Sequence, residues 1–164
     1  MKPVMNYDGQ DISNMVEGAA TRNGVDPLAL LALLKAESGL NPKAQRIGSG
    51  TEAFLQHLLW YERGDRSQFD RLQQMLDDAE YDISFGYGQQ IVAFHYYGDG
   101  TNTLENVLDV RDHVFNNPET NVENAATRLS QCKPRSLDNS WLGAMIVYNA
   151  GSDKRNDADW LSRW

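Results

Sequence analysis

Apolar residues recur along this chain at the three- and four-residue intervals of helix faces, and one internal segment breaks the rhythm. Ile12, Met15, Val16 and Ala19 form one stripe within 11–22, and Asn23-Gly24 supplies its stop. Asp26-Pro27 reads as N-cap and first residue of a leucine-rich helix that Gly39 and Pro42 close. Thr51 to Arg63 and Ser67 to Glu80 predict two further helices, parted by Gly64-Asp65. A sparser pattern predicts a helix over 103–112. Val122, Ala125, Ala126 and Leu129 place another over Asn121 to Gln131. Trp141, Ala144, Met145 and Tyr148 do the same for Ser140 to Tyr148, with Gly151 just beyond. The exception, "YDISFGYGQQIVAFHYYGDG", mixes β-branched, aromatic and glycine residues and predicts a loop with one or two short strands. The terminal "DADWLSRW" predicts a short amphipathic helix with Trp160 and Trp164 facing the core, or the start of a junction to another domain. The expected fold class is therefore mostly α, a helical bundle with a small β or loop element.

Bulk properties narrow the function more by exclusion than by assignment. A length of 164 residues suits a single domain with a sizeable core. No apolar run is long enough to cross a bilayer. The opening "MKPVMNYDGQ" lacks the apolar centre of a signal peptide, so the chain is expected to be mature or to leave its cell by another route. Cys132, the single cysteine, excludes an internal disulfide and is expected as a half-buried helical thiol. A net charge of −8 argues against nucleic acid as a partner. His57, His95 and His113 are scattered without zinc-ligand spacing, and "GDGTNTLE" lacks the order of a calcium loop. No phosphate-binding, dinucleotide or Gly-x-Ser-x-Gly fingerprint occurs. Neither metal nor cofactor is expected.

One residue stands out against this background. Nine of the eleven residues from Pro27 to Glu37 are apolar, and Leu30, Leu33 and Leu34 share a helix face with Glu37. Packing against leucines would remove water from the carboxylate, and the helix C-terminus would add unfavourable negative potential. Both effects favour the protonated acid that general-acid cleavage of an ether-type bond requires. The ordinary alternative is a glutamate that turns outward to pair with Lys43 or Arg46.

The run "ESGLNPKA" (Glu37 to Ala44) resembles the first motif of soluble lytic transglycosylases and goose-type lysozymes. Three further segments follow in that family's order. "SFGYGQQI" resembles its Gly-hydrophobic-x-Gln segment, with Gly86, Tyr87 and Gln89 in the matching places. "NPETNVENAATRL" resembles its Pro-Glu-x-Asn helix through Pro118, Glu119 and Asn121, although Ala125 stands where the family has glycine. "VYNAG" matches its closing Tyr-Asn-Ala-Gly signature.

The resemblance implies a single lysozyme-like catalytic domain over 1–164, its bundle and small β element bordering a saccharide cleft. It implies no cofactor. Glu37 matches the catalytic acid, which protonates the glycosidic oxygen between N-acetylmuramic acid and N-acetylglucosamine and then acts as base. The muramic acid's own 6-hydroxyl closes on the anomeric carbon, leaving a 1,6-anhydro end. Tyr148 matches a tyrosine that lies close to the acid and helps orient it, with a core aromatic as its plain alternative. Ser38 and Gln89 match cleft-lining positions, and Tyr87 is carried over with them as substrate-binding. Asn149 is expected either to bond a substrate N-acetyl group or to cap its helix. Gly86 and Gly88 are expected to let the backbone approach the sugar.

Hydrolytic members of the family need a second carboxylate to hold water. They carry an aspartate ahead of the Gly-x-x-Gln segment and often another after it, where this chain has Ile91. Glu80 and Asp82 are the candidates upstream. The missing second acid and the Glu37-Ser38 pair favour a transglycosylase, with a goose-type lysozyme as alternative and a non-catalytic saccharide-binding or virion module as third reading. Fifty-two positions separate Glu37 from Gln89, longer than in compact members, so a helical insertion is expected at about 45–83. Within it, Trp60 and Tyr61 are either a sugar-stacking wall or interhelical packing, packing being favoured. The expected partner is peptidoglycan glycan strands, with no nucleic acid and no membrane insertion. The expected setting is the bacterial wall, as a phage lysin, part of a virion, or an excised domain of a secreted protein, monomeric in isolation.

Overall fold

A computed structural model describes residues 1–80, 82–91 and 102–150. The expected C-terminal helix, His95 and the first half of "GDGTNTLE" lie outside those residues. The elements run α1 Ser13–Asn23, α2 Pro27–Ser38, β1 Gln45–Ile47, α3 Thr51–Glu62, a short 3-10 turn Arg66–Gln68, and α4 Phe69–Ala79. They continue with β2 Ile83–Phe85, β3 Gln90–Ile91, α5 Leu104–Asn116, α6 Pro118–Cys132, a second 3-10 turn Lys133–Arg135, and α7 Trp141–Ala150. The chain is mostly helical, with one small antiparallel sheet in the order β1-β2-β3.

Helix α2 forms where the sequence places it. The Asp26 carboxylate accepts hydrogen bonds from the amides of Leu28 (2.8 Å) and Ala29 (3.1 Å), and Pro27 occupies the first turn. Gly39 ends the helix in the left-handed conformation at φ 62°. Helix α6 begins earlier than its apolar stripe indicates, because Pro118 occupies its first turn. Helix α5 runs four residues beyond the expected 112, with Val110 and Val114 both buried. Strand β1 carries no sequence signal of its own. Its three residues are held by partners some forty positions away, Arg46 opposite Ser84 and Ile47 opposite Ile83.

Side chains gather into two cores. The first joins α1, α2, α6 and α7 through Val16, Leu30, Leu33, Leu34, Val122, Leu129 and Val147, with Tyr87 inserted from the turn after β2. The second joins β1, α3, α4, β2 and α5 through Ile47, Phe54, Leu58, Leu72, Leu76, Phe85 and Val107. Each fully buried leucine contributes about 1.5–3 kcal/mol by leaving water. Residues 45–83 are thus structural members of the second core, closed by α5, and not an appendage on the first. Cys132 is buried at the end of α6, deeper than the half-buried position expected, and burial raises its thiol pKa.

Candidate functional site

A pocket of about 360 Å³ opens between the two cores. The end of α2 contributes Ala36 and Glu37, α6 contributes Arg128, and α7 contributes Tyr148 and Asn149. The sheet faces them with Arg46 from β1, Ser84 from β2, Asp82 just before it and Gln89 just after. Strand alternation explains the division of labour. Gln45, Ile47, Ile83 and Phe85 take one face of the sheet, while Arg46 and Ser84, paired with each other, take the pocket face.

Glu37 is half-buried at the last turn of α2. Leu30, Leu33 and Leu34 are fully in the core, but the helix emerges from it by the turn that carries the carboxylate. The surroundings are consequently polar and not the apolar wall expected from the helix face. Asn149 Nδ2 donates to Glu37 Oε1 at 3.1 Å across 112 positions of sequence. That contact fixes the carboxylate from the end of α7 and is neither of the two roles expected for Asn149.

Tyr148 lies beside Glu37 but spends its hydroxyl elsewhere, donating to the Gly88 carbonyl at 2.8 Å. Burial drives its phenol far above the ordinary tyrosine pKa; the Arg128 cation opposes the rise and the negative Glu37 adds to it. The ring therefore acts as a neutral donor at any physiological pH. The Arg128 guanidinium stacks 4.4 Å over the Tyr148 ring and donates to the Tyr148 carbonyl at 3.0 Å. Tyr148 thus joins the pocket to the turn at 86–89 and to α6.

That turn departs most from expectation. A Cβ on Gly86, which sits at φ 80°, would come within 2.6 Å of Val114 Cγ1 and 2.7 Å of Asn121 Oδ1. A Cβ on Gly88 would stand 2.7 Å from Ala125 Cβ and 3.1 Å from the Tyr148 hydroxyl. Asn121 Oδ1 also accepts the Gly88 amide at 3.0 Å. Both glycines are required by close approach to α5, α6 and α7 within the protein. Tyr87 is likewise a core residue, 1% exposed, whose hydroxyl accepts a hydrogen bond from Asn6 at 2.9 Å. Its burial raises the phenol pKa and takes it away from the pocket, correcting its expected role in substrate binding. Gln89 does reach the pocket. It holds a left-handed backbone at φ 44°, donates to the Gly86 carbonyl (3.0 Å) and accepts from Ser84 Oγ (2.9 Å).

The remaining expectations divide. Ser38 returns its hydroxyl to the Leu34 carbonyl at 2.8 Å and does not line the pocket. Of the two possible second carboxylates, Glu80 caps α4 with its side chain exposed and outside the pocket. Asp82 lies in the pocket, and Arg46 engages both its oxygens, Nε to Oδ1 at 2.9 Å and the second nitrogen to Oδ2 at 3.1 Å. Trp60 and Tyr61 do not line the pocket. Trp60 meets His57 edge-on at 5.2 Å, while Tyr61 packs beside Phe69 and beneath Arg66. Among the described residues, no cluster of His, Cys, Asp and Glu suits a metal ion, and no helix is long and apolar enough to cross a membrane.

Ser84 and Arg128 line the pocket without having been singled out from the sequence, and Arg46, named there only as a partner for an outward-turned Glu37, pairs with Asp82. The alternation of β1 would have found Arg46 had the strand been recognised. Arg128 stands seven residues after Asn121, on the same face of α6, a spacing that does signal a shared surface. No protein-family model, no curated protein and no solved structure matches this chain.

Proposed function

We propose that the chain cleaves peptidoglycan at the bond between N-acetylmuramic acid and N-acetylglucosamine, as a lytic transglycosylase of lysozyme-like fold. The observation that carries the reading is Glu37, a half-buried carboxyl held by Asn149 on the wall of a pocket between two cores. The four motifs that resemble the family supply Glu37, Gln89, Tyr148 and Asn149 to that one pocket, and supply Gly86, Gly88 and Asn121 to the turn behind it.

In this mechanism Glu37 gives its proton to the glycosidic oxygen as the bond to the anomeric carbon breaks. The resulting carboxylate then takes the proton of the muramic acid 6-hydroxyl as that oxygen closes on the same carbon. Asn149 keeps the carboxyl oriented through both half-reactions, and Tyr148 secures the turn that presents Gln89. Sequence motifs and pocket chemistry together favour a glycan over a nucleic acid or a lipid.

Mass spectrometry of muropeptides released from purified peptidoglycan tests the proposal. The expected products carry 1,6-anhydro ends and are lighter by one water than hydrolytic products. Glu37→Gln is expected to lower release about a thousandfold while leaving binding to the glycan largely intact. Binding without release by the unaltered chain would select the non-catalytic module. Asp82 within the pocket gives the hydrolytic alternative a specific footing, and ordinary reducing ends would select it.

A further inference from the structure

We infer that Arg46 decides the fate of the cleaved bond by orienting Asp82 away from the part of water-activating base. The inference rests on the proposed glycan cleavage and concerns its outcome. An inverting hydrolysis needs a carboxylate across the sugar from the acid, with an oxygen free to orient a water molecule and take its proton. Asp82 is the second carboxylate of this pocket among the described residues, on the sheet wall opposite the end of α2. Arg46 meets it in the planar two-point geometry that matches guanidinium to carboxylate, with one contact to each oxygen.

The pairing follows from the sheet. Arg46 stands opposite Ser84, two residues beyond Asp82, and the Gly48 amide donates to the Asp82 carbonyl at 2.7 Å. Backbone bonds on either side thus set the two side chains together. The side chains of Arg46 and Asp82 are 61% and 48% exposed, so the pair adds little to stability and its removal leaves the fold in place. What it changes is availability. With the facing lone pair of each Asp82 oxygen given to the guanidinium, the carboxylate is oriented by Arg46 and not by a water beside the sugar, and the 6-hydroxyl of the sugar is the favoured nucleophile.

Freeing Asp82 opens the other course. The oxygen of a water molecule bonds to the anomeric carbon as the bond to the leaving sugar's oxygen breaks. Asp82 takes a proton from the water, and Glu37 gives one to the departing oxygen. Arg46 is in these terms a positioning residue, acting through Asp82.

The experiment digests purified peptidoglycan in oxygen-labelled water with the unaltered chain, Arg46→Ala, Arg46→Gln and the double variant Arg46→Ala/Asp82→Asn. The expected result is mainly unlabelled anhydro ends from the unaltered chain. Both single variants should raise the ratio of labelled reducing ends to anhydro ends about tenfold. The double variant should return the ratio to its starting value. An unchanged ratio in both single variants that still cleave overturns the inference, as does a raised ratio that survives in the double variant. Chiefly reducing ends from the unaltered chain overturn it too, while leaving Glu37 as the acid. Release from none of the four proteins overturns the proposed function itself.

Discussion

The two cores differ in how their parts are strung along the chain. The second is assembled from 47–115, in neighbouring stretches. The first is closed by contacts between distant halves: Arg22 to Glu123, Asn23 to Glu123 and Thr127, and Asn149 to Glu37. The pocket takes Glu37, Arg128, Tyr148 and Asn149 from elements of the long-range core and Arg46, Asp82 and Ser84 from the sheet that borders the local one. The pocket therefore sits where two separately built surfaces meet, a common location for binding sites. The stretch at 45–83, which looks like an interruption between motifs, supplies Arg46 and Asp82 from its two ends to the wall facing Glu37, while its helices stay within the second core.

The largest effect belongs to Glu37→Gln, expected to reduce muropeptide release about a thousandfold with an unchanged melting temperature. A parallel loss of stability would mean the carboxylate belongs to the first core and not to the pocket. Next in size are paired core truncations. Leu34→Ala and Leu76→Ala, one in each core and each fully buried, are expected to cost about 2–5 kcal/mol apiece. Thermal unfolding followed by far- and near-ultraviolet dichroism should remain one transition in both. A second transition in either variant would show the cores to be independent units.

Gly88→Ala addresses the contact between the sheet's turn and α6, and overpacking should cost about 1–3 kcal/mol in urea unfolding. Adding Ala125→Gly should recover part of that loss, because the clash is with the Ala125 methyl. Asn149→Ala should lower kcat about tenfold with little change in KM, the scale of one hydrogen bond to a charged or ionisable group.

The remaining effect is alkaline and builds gradually with pH. Tyr148 and Tyr87 have folded pKa values raised above the unfolded value, so the stability they contribute is fully present below about pH 10 and declines as pH rises further. Unfolding free energy should fall with a slope of up to about 1.4 kcal/mol per pH unit for each tyrosine. Tyr148→Phe should reduce that slope.

Legibility in the sequence tracked the range of the forces involved. Asp26, Pro27 and Gly39 act within a turn of the residues they organise, and α2 is readable from them alone. The start of α6 at Pro118 is also local, but apolar periodicity overlooks a first turn that carries no core residue. Strand β1 is unreadable because its three residues derive their conformation from β2. The same distinction governs the site. The motifs mark Glu37, Gln89, Tyr148 and Asn149, yet Tyr87 and the glycines carry the same motif while serving the interior. Only burial separates a residue that touches the pocket from one that shapes it.

The tie between Asn6 and Tyr87 has a practical side. Asn6 accepts the amides of Asp8 and Gln10 on its Oδ1 and donates to the Tyr87 hydroxyl, so a small N-terminal loop buttresses the turn that bears Gln89 from behind. Alterations to that loop, such as trimming it or tightening it with a proline, offer a remote dial on the pocket that leaves every lining side chain in its native identity.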